Sequence, residues 1–120
     1  MSPQSRSVAV VDDDEAVCDS TRVLLETYGF AMWTYLSGAI FLKDNPDVDC
    51  IVVDYHMPGL NGLELASALT VRGSYVPVIM ITATADAMVE RRAAELGIKR
   101  ILRKPLSNRA LLNAVREELE

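Results

Sequence analysis

The sequence predicts a three-layer α/β domain, in which one parallel β-sheet lies between two layers of helices. Five short apolar segments alternate along the chain with five segments whose apolar residues recur at helical spacing, and this alternation is typical of right-handed βαβ units. The length of 120 residues suits one domain that folds without disulfides or a structural metal. In such folds, ligands bind outside the carboxyl ends of the strands.

The first strand, residues 8–11, is β-branched and apolar on both faces, which is typical of a strand buried on both sides of a sheet. The first helix carries apolar residues along one face, begins near Asp14, where a carboxylate favours the helix dipole, and ends at Gly29. The second strand, residues 30–36, is rich in aromatic residues and is predicted nearer an edge of the sheet. A short helix capped by Ser37 follows.

The second part of the chain continues the same alternation. Three further strands are predicted from short apolar runs, at residues 50–53, 76–81 and 98–102. The helix after the third strand closes near Gly73, and a weakly amphipathic helix over 86–96 ends at Gly97. Ser107 caps the last helix, which has apolar residues on one face.

The composition excludes several classes of protein. With 12 basic and 17 acidic residues, the net charge is −5, which argues against direct nucleic-acid binding by this segment. Cys18 and Cys50 have neither CxxC nor metal-ligand spacing, so we expect two reduced, buried thiols. No apolar run approaches about 18 residues, and the N-terminus lacks the apolar region of a secretory signal. We therefore expect a cytoplasmic protein that does not bind membranes.

Polar side chains follow four of the predicted strands. They are Asp12, Asp13 and Asp14 after the first strand, Asp54 after the third, Thr82 after the fourth and Lys104 after the fifth. Carboxylates about 5 Å apart repel by about 3 kcal/mol per pair at an effective dielectric of about 20, so their convergence indicates a divalent cation. Mg²⁺ prefers carboxylates, a carbonyl, water and a phosphoryl oxygen. With an ammonium and a hydroxyl added, this set indicates phosphoryl transfer onto a carboxylate.

Four motifs, in this order and spacing, resemble the receiver domain of two-component response regulators: residues 10–13, 53–62, 81–83 and 103–105. The resemblance covers the chain from about Ser7 to Glu120. It is greatest to the nitrogen-fixation-type branch, whose members usually carry a C-terminal helix-turn-helix domain. It implies a flavodoxin-like, doubly wound five-stranded sheet in the order 2-1-3-4-5. We expect a single receiver domain over 1–120, with a flexible tail at 1–6 and no output domain in this chain.

The resemblance also implies a role for each strand-end residue. Asp54 is the phosphoacceptor, Lys104 pairs with the phosphoryl group, and Thr82 hydrogen-bonds it in the active state. The bond between Lys104 and Pro105 is implied to be cis. Four groups are implied to hold Mg²⁺: Asp12 mainly through water, Asp13, Asp54 and the backbone carbonyl of His56.

Several residues need a separate interpretation. Ile101 stands where the family commonly has Tyr or Phe, which swings inward when Thr82 moves, and Leu106 replaces a Phe often found there. We expect the switch to run differently, or more weakly, without the ring. The side chain of His56 either faces solvent at the rim of the site or affects the approach of water to the phosphorylated aspartate. Asp14 is interpreted as a helix cap.

The predicted function is to take a phosphoryl group from a sensor histidine kinase and to switch the surface of the fourth helix, fifth strand and fifth helix. That surface controls an output, most simply transcription, and a phosphorylation-dependent homodimer is one form the output takes. The chemistry is limited to autocatalytic transfer and self-dephosphorylation, so no turnover enzyme is expected.

Two alternatives remain open at this stage. A haloacid-dehalogenase-type hydrolase also uses Asp, Mg²⁺, Thr and Lys, but it expects Thr or Val two positions after its aspartate and an acidic motif after the lysine. Here Glu15 and Ala16 follow the acidic run, and no Asp occurs after Asp86. The other alternative is a receiver-like adaptor that is never phosphorylated. It remains open because Ile101 replaces the aromatic residue that commonly takes part in the switch.

Overall fold

The computed structural model describes residues 6–84 and 86–119, and within them five parallel strands form one sheet in the order β2-β1-β3-β4-β5. The elements, in chain order, are β1 (Ser7–Val11), α1 (Glu15–Thr27), β2 (Ala31–Tyr35), α2 (Gly38–Asp44), β3 (Cys50–Asp54), α3 (Gly62–Val71), β4 (Val78–Thr82), α4 (Ala87–Glu95), β5 (Arg100–Arg103) and α5 (Asn108–Leu119). The predicted class and strand order are confirmed. The tail predicted at 1–6 lies outside the described residues, except for Arg6.

The helices cover both faces of the sheet, and alternate residues of each strand divide the core into two parts. Ala9 and Val11 of β1 belong to the cluster that packs beneath α2, α3 and α4. Val8 and Val10 belong to the cluster beneath α1 and α5. Because both faces are buried, β1 and β3 are apolar almost throughout, as a parallel sheet requires.

Short polar side chains fix where the helices begin. Asp14, Ser37, Asn61 and Asp86 each accept a hydrogen bond from backbone N–H groups in the first turn of their helix. Ser107 does the same for α5, where its Oγ accepts from the N–H of Ala110 at 3.1 Å. These caps satisfy donors that have no partner inside the helix. The predicted cap roles of Asp14, Ser37 and Ser107 are therefore confirmed.

The predicted strands 30–36, 76–81 and 98–102 each begin one or two residues too early. The N–H of Phe30 donates to a carbonyl of α1 at 3.1 Å, and the N–H of Ile98 donates to a carbonyl of α4 at 2.9 Å. Each of these apolar residues therefore closes the end of the preceding helix rather than opening the next strand. Apolar sequence alone does not distinguish the two roles.

The cysteines and the lengths of the helices bear on what the composition predicts. Cys18 and Cys50 are both free and buried, as predicted. Among the helices in the described ranges, none is both long enough and apolar enough to cross a membrane.

Candidate functional site

The carboxyl edge of the sheet brings together three carboxylates that are distant in sequence. β1 and β3 are neighbours, with Val11 opposite Val53, so the residues that follow them emerge side by side. Ligand atoms from Asp12, Asp13 and Asp54 lie within 4.8 Å of one another. This cluster could hold a metal ion.

Asp12 is buried beside the other two carboxylates. It is 5% exposed, and its Oδ1 accepts a hydrogen bond from the N–H of Asp14 at 2.9 Å. Burial raises the pKa of Asp12 to about 6, and the charges of Asp54 and Asp13 act in the same direction, against the Asp14 hydrogen bond and Lys104. Asp13 is exposed, so one carboxylate of the cluster faces solvent while the other two lie beneath it.

Asp54, the last residue of β3, has a buried oxygen that contacts the ammonium of Lys104. The residue is 4% exposed. Lys104 Nζ forms an ion pair with Asp54 Oδ1 at 3.1 Å, and no other described residue donates a hydrogen bond to this oxygen. Buried carboxylate oxygens are normally satisfied, and here the ammonium of Lys104 supplies the compensating charge.

Lys104, just after β5, reaches Asp54, and Thr82 ends β4, the strand next to β3. The N–H of Lys104 donates to the carbonyl of Thr82 at 3.0 Å, and the bond from Lys104 to Pro105 is cis. Burial acts to lower the pKa of Lys104, but contact with Asp54 and the charges of the other carboxylates outweigh burial, so the pKa is raised. Thr82 is 1% exposed, and its hydroxyl lies at the end of β4.

Gly62 explains part of the motif at 53–62. It opens α3, and its N–H donates to the carbonyl of Tyr55 at 3.1 Å. A Cβ at this position would lie 3.1 Å from the backbone oxygen of Asp54 and 3.1 Å from the sulfur of Met80. Glycine therefore allows α3 to pack directly against the strand that carries Asp54.

His56, two residues after Asp54, has an exposed side chain, and its proposed effect on water approaching a phosphorylated aspartate stays a prediction. Its Nε2 lies 3.0 Å from Thr84 Oγ1, and its ring packs edge-on against Tyr55 at 4.6 Å. The N–H of Thr84 in turn donates to Thr82 Oγ1 at 3.0 Å. Sequence reasoning missed Thr84, although a hydroxyl two residues after a strand-end threonine was a visible signal.

Ile101 lies within β5, opposite Met80 of β4. It is half-buried and packs against the core beneath α2, α3 and α4. Leu106 is also half-buried but packs against the core on the other face. The two apolar replacements therefore contribute to different layers of the domain.

Comparison with known proteins gives one family along most of the chain. The response regulator receiver domain family matches residues 8–116. Transcriptional regulatory protein FixJ of Azorhizobium caulinodans is 41% identical over 119 residues, which cover 98% of this chain and 56% of that protein. The chain thus spans about half the length of the curated relatives it matches. This similarity agrees with the nitrogen-fixation-type branch predicted from the motifs.

Solved structures show the same fold. A CheY-like response regulator receiver domain protein from Methanospirillum hungatei JF-1 superposes with a TM-score of 0.89 at 27% identity, covering 97% of this chain and 94% of that one. A BeF₃-activated receiver domain of DrrB gives 0.87 at 27% identity, covering 97% and 98%. The relatives are response regulators and transcriptional regulators, which favours the receiver interpretation over the hydrolase alternative. The chain belongs to the response regulator receiver domain family.

Proposed function

We propose that this domain accepts a phosphoryl group on Asp54 from a sensor histidine kinase. The observation that carries the proposal is the buried Asp54 carboxylate, whose Oδ1 is ion-paired with Lys104 Nζ at 3.1 Å and which clusters with the carboxylates of Asp12 and Asp13. An oxygen held in this way is available to attack phosphorus, and the ammonium beside it is placed to pair with a transferred phosphoryl group.

The donor set around Asp54 fits Mg²⁺. Carboxylate oxygens are the ligands that this hard cation prefers, and a cation would relieve the repulsion that contributes to the raised pKa of Asp12. Four groups would hold the ion: Asp12 through water, Asp13, Asp54 and the backbone carbonyl of His56. When bound, Mg²⁺ supplies positive charge that neutralises the oxygens of the transferring phosphoryl group.

The transfer itself needs little from the protein beyond positioning and charge. A carboxylate oxygen of Asp54 forms the new bond to phosphorus, the P–N bond to the kinase histidine breaks, and its electron pair returns to the imidazole. Lys104 pairs with the phosphoryl oxygens, and the Thr82 hydroxyl donates a hydrogen bond to one of them. Hydrolysis by water later restores the carboxylate, so the domain acts as a timed switch rather than a turnover enzyme.

The phosphoryl signal passes to the surface formed by α4, β5 and α5. A backbone hydrogen bond joins Thr82, at the end of β4, to Lys104, just after β5. A shift of Thr82 toward the phosphoryl group therefore displaces the end of β5 as well. Moving the surface from about 1% to about 99% in the active state requires about 5.5 kcal/mol of differential stabilisation. Ile101 transmits the shift of Thr82 to this surface through packing alone. The coupling between the pocket and the surface is therefore different from, or weaker than, the coupling that an aromatic ring gives.

The output of the switch is proposed to be transcription, through a partner or domain beyond this segment or through a phosphorylation-dependent homodimer. Residues 1–120 are proposed to act as one receiver domain that does not itself bind DNA. The net charge of −5 supports this, because DNA contact needs clustered positive charge.

Beryllium fluoride, which mimics a phosphoryl group, tests the proposal without a kinase. The protein is titrated with it in the presence and absence of Mg²⁺ while backbone amide NMR signals are followed. We expect saturable, Mg²⁺-dependent binding that shifts signals of the pocket and of α4, β5 and α5, and no binding by Asp54→Asn. Asp47→Asn, an exposed loop position, is the matched control and should bind normally. Absence of binding by the unaltered protein would instead support the adaptor alternative.

A further inference from the structure

Asp12 has three hydrogen-bonding contacts, two through its main chain and one through its carboxylate. Its N–H donates to the carbonyl of Tyr35 at 3.0 Å, and its carbonyl lies 3.3 Å from Cys18 Sγ, which is placed to donate to it. The N–H of Asp14 donates to its carboxylate at 2.9 Å. Of these three contacts, only the one from Cys18 has a side-chain donor, so it can be removed by substitution without changing Asp12 itself.

Cys18 is well placed to act as an anchor. It lies on α1 and is 2% exposed, so its thiol does not exchange partners with water. Its Sγ lies 3.8 Å from the carbonyl of Tyr35 as well, which brings β1, β2 and α1 together at one point. A neutral thiol is a weak hydrogen-bond donor, and a buried donor keeps such a bond even when it is weak.

The loop between β1 and α1 needs anchoring because the groups that it carries repel one another. Asp12 and Asp13 both contribute to the cluster with Asp54, and each like-charged pair at about 5 Å costs about 3 kcal/mol at an effective dielectric of about 20. Without a cation, this repulsion favours opening of the loop. Contacts that hold the loop closed therefore preorganise the carboxylates for a cation.

We propose that Cys18 is a positioning residue for the cation site: its buried thiol holds the carbonyl of Asp12 and thereby keeps the Asp12 and Asp13 carboxylates facing Asp54. The proposal rests on the proposed function, because it assumes that the three carboxylates bind Mg²⁺. It adds a residue that touches neither the ion nor the phosphoryl group and acts through the main chain of a ligand, as outer groups around metal sites do.

Calorimetric Mg²⁺ titrations of three variants test the role. Cys18→Ala removes the donor, and Cys18→Ser keeps a donor at the same position. Cys50→Ala is the matched control, because Cys50 is 0% exposed and belongs to the same core cluster as Cys18, yet it lies at the opposite end of β3 from Asp54. We expect Cys18→Ala to weaken Mg²⁺ affinity by about tenfold, the low end for loss of an outer-shell partner, and Cys18→Ser and Cys50→Ala to remain within about twofold of the unaltered protein.

Urea unfolding of the same variants separates positioning from packing. Both alanine variants lose stability because both leave a cavity, but only the Cys18 variant should lose Mg²⁺ affinity. If Cys18→Ala does not fold, Cys18→Val, which fills the space without a donor, is judged by the same criterion. Unchanged affinity in Cys18→Ala, or an equal loss in Cys50→Ala, would overturn the positioning role alone. Absence of Mg²⁺ binding by the unaltered protein would overturn the cation site, and this proposal with it.

Discussion

The centre of the sheet and its β5 edge differ in how tightly they are packed, although both contribute to the same pocket. All five residues of β3 are buried, whereas β5 has three half-buried residues and one exposed residue. α4, which covers the β5 side, buries only Val89 and Ala93 and leaves Met88 76% exposed. Elements that move in a switch come from the less stable parts of a domain. On the proposed function, the phosphoryl chemistry takes place at the buried centre of the sheet and the response at its less buried edge.

Two isoleucines allow the comparison to be tested by one chemical change. Ile51 in β3 is 1% exposed, whereas Ile101 in β5 is half-buried. Full truncation of a buried isoleucine to alanine costs about 3 kcal/mol, so we expect that loss for Ile51→Ala and about 1 kcal/mol for Ile101→Ala. Urea unfolding followed by circular dichroism measures both. Equal losses would show that β5 is packed as tightly as the centre.

Lys104 lies directly after β5, but its ammonium contacts Asp54 at the end of β3. Removing one preorganised charge from a reacting site typically slows the reaction by about 100-fold or more. We expect Lys104→Ala to slow phosphorylation of Asp54 by a small phosphodonor by about 100-fold, measured by intact-protein mass spectrometry over time. Lys99→Ala, on an exposed residue of the loop before β5, is the control. Similar rates for the two variants would show that Lys104 has no special role.

The raised pKa of Asp12 makes the free energy of unfolding of the domain depend on pH. Its pKa rises from 3.8 to about 6 on folding, so the folded state binds the proton more tightly than the unfolded chain. The resulting stabilisation is complete below about pH 4 and is lost as pH rises through about 6, at about 1.4 kcal/mol per unit of pKa difference.

We therefore expect Asp12→Asn, in Mg²⁺-free buffer, to be more stable than the unaltered protein by about 3 kcal/mol at pH 8 and nearly equal to it at pH 4. Asparagine can still accept the hydrogen bond from Asp14, so the change isolates the charge. Urea unfolding across this pH range gives the difference. A constant difference at all pH values would contradict the raised pKa of Asp12.

The smallest predicted effect concerns how β5 is fixed to α5. Arg100 forms ion pairs with Glu117 at 2.9 Å and Glu118 at 3.1 Å, so it joins two elements, whereas Arg22 pairs with Glu26 within α1 at 3.0 Å. Exposed pairs contribute about 0.2–1 kcal/mol. We expect Arg100→Ala to cost about 1 kcal/mol and Arg22→Ala less than about 0.5 kcal/mol, measured by thermal unfolding. A greater loss for Arg22→Ala would show that the link from β5 to α5 contributes little.

Much of the fold could be predicted because its signals are local. Runs of buried β-branched residues marked β1 and β3, and capping side chains marked the starts of α1, α2 and α5. The starts of β2 and β5 were misplaced because Phe30 and Ile98 use their N–H groups to close a helix. Which partner an N–H selects depends on the tertiary path of the chain, and hydrophobicity does not report it.

The candidate site was predictable to the extent that parallel strands bring their ends together. This rule predicts Asp12, Asp54, Thr82 and Lys104 at one edge of the sheet. It could not identify the contact of Cys18 with the Asp12 carbonyl or that of His56 with Thr84. Both depend on side-chain directions across different elements, which no spacing along the chain encodes.

The most direct test of the central claim is the mass of the protein after incubation with Mg²⁺ and a small phosphodonor. The account predicts the addition of one phosphoryl group, located on Asp54 by peptide mapping after reductive trapping, and its loss when Mg²⁺ is removed or when Asp54 is replaced by Asn. Absence of the adduct on the unaltered protein, or an undiminished adduct on Asp54→Asn, would contradict it.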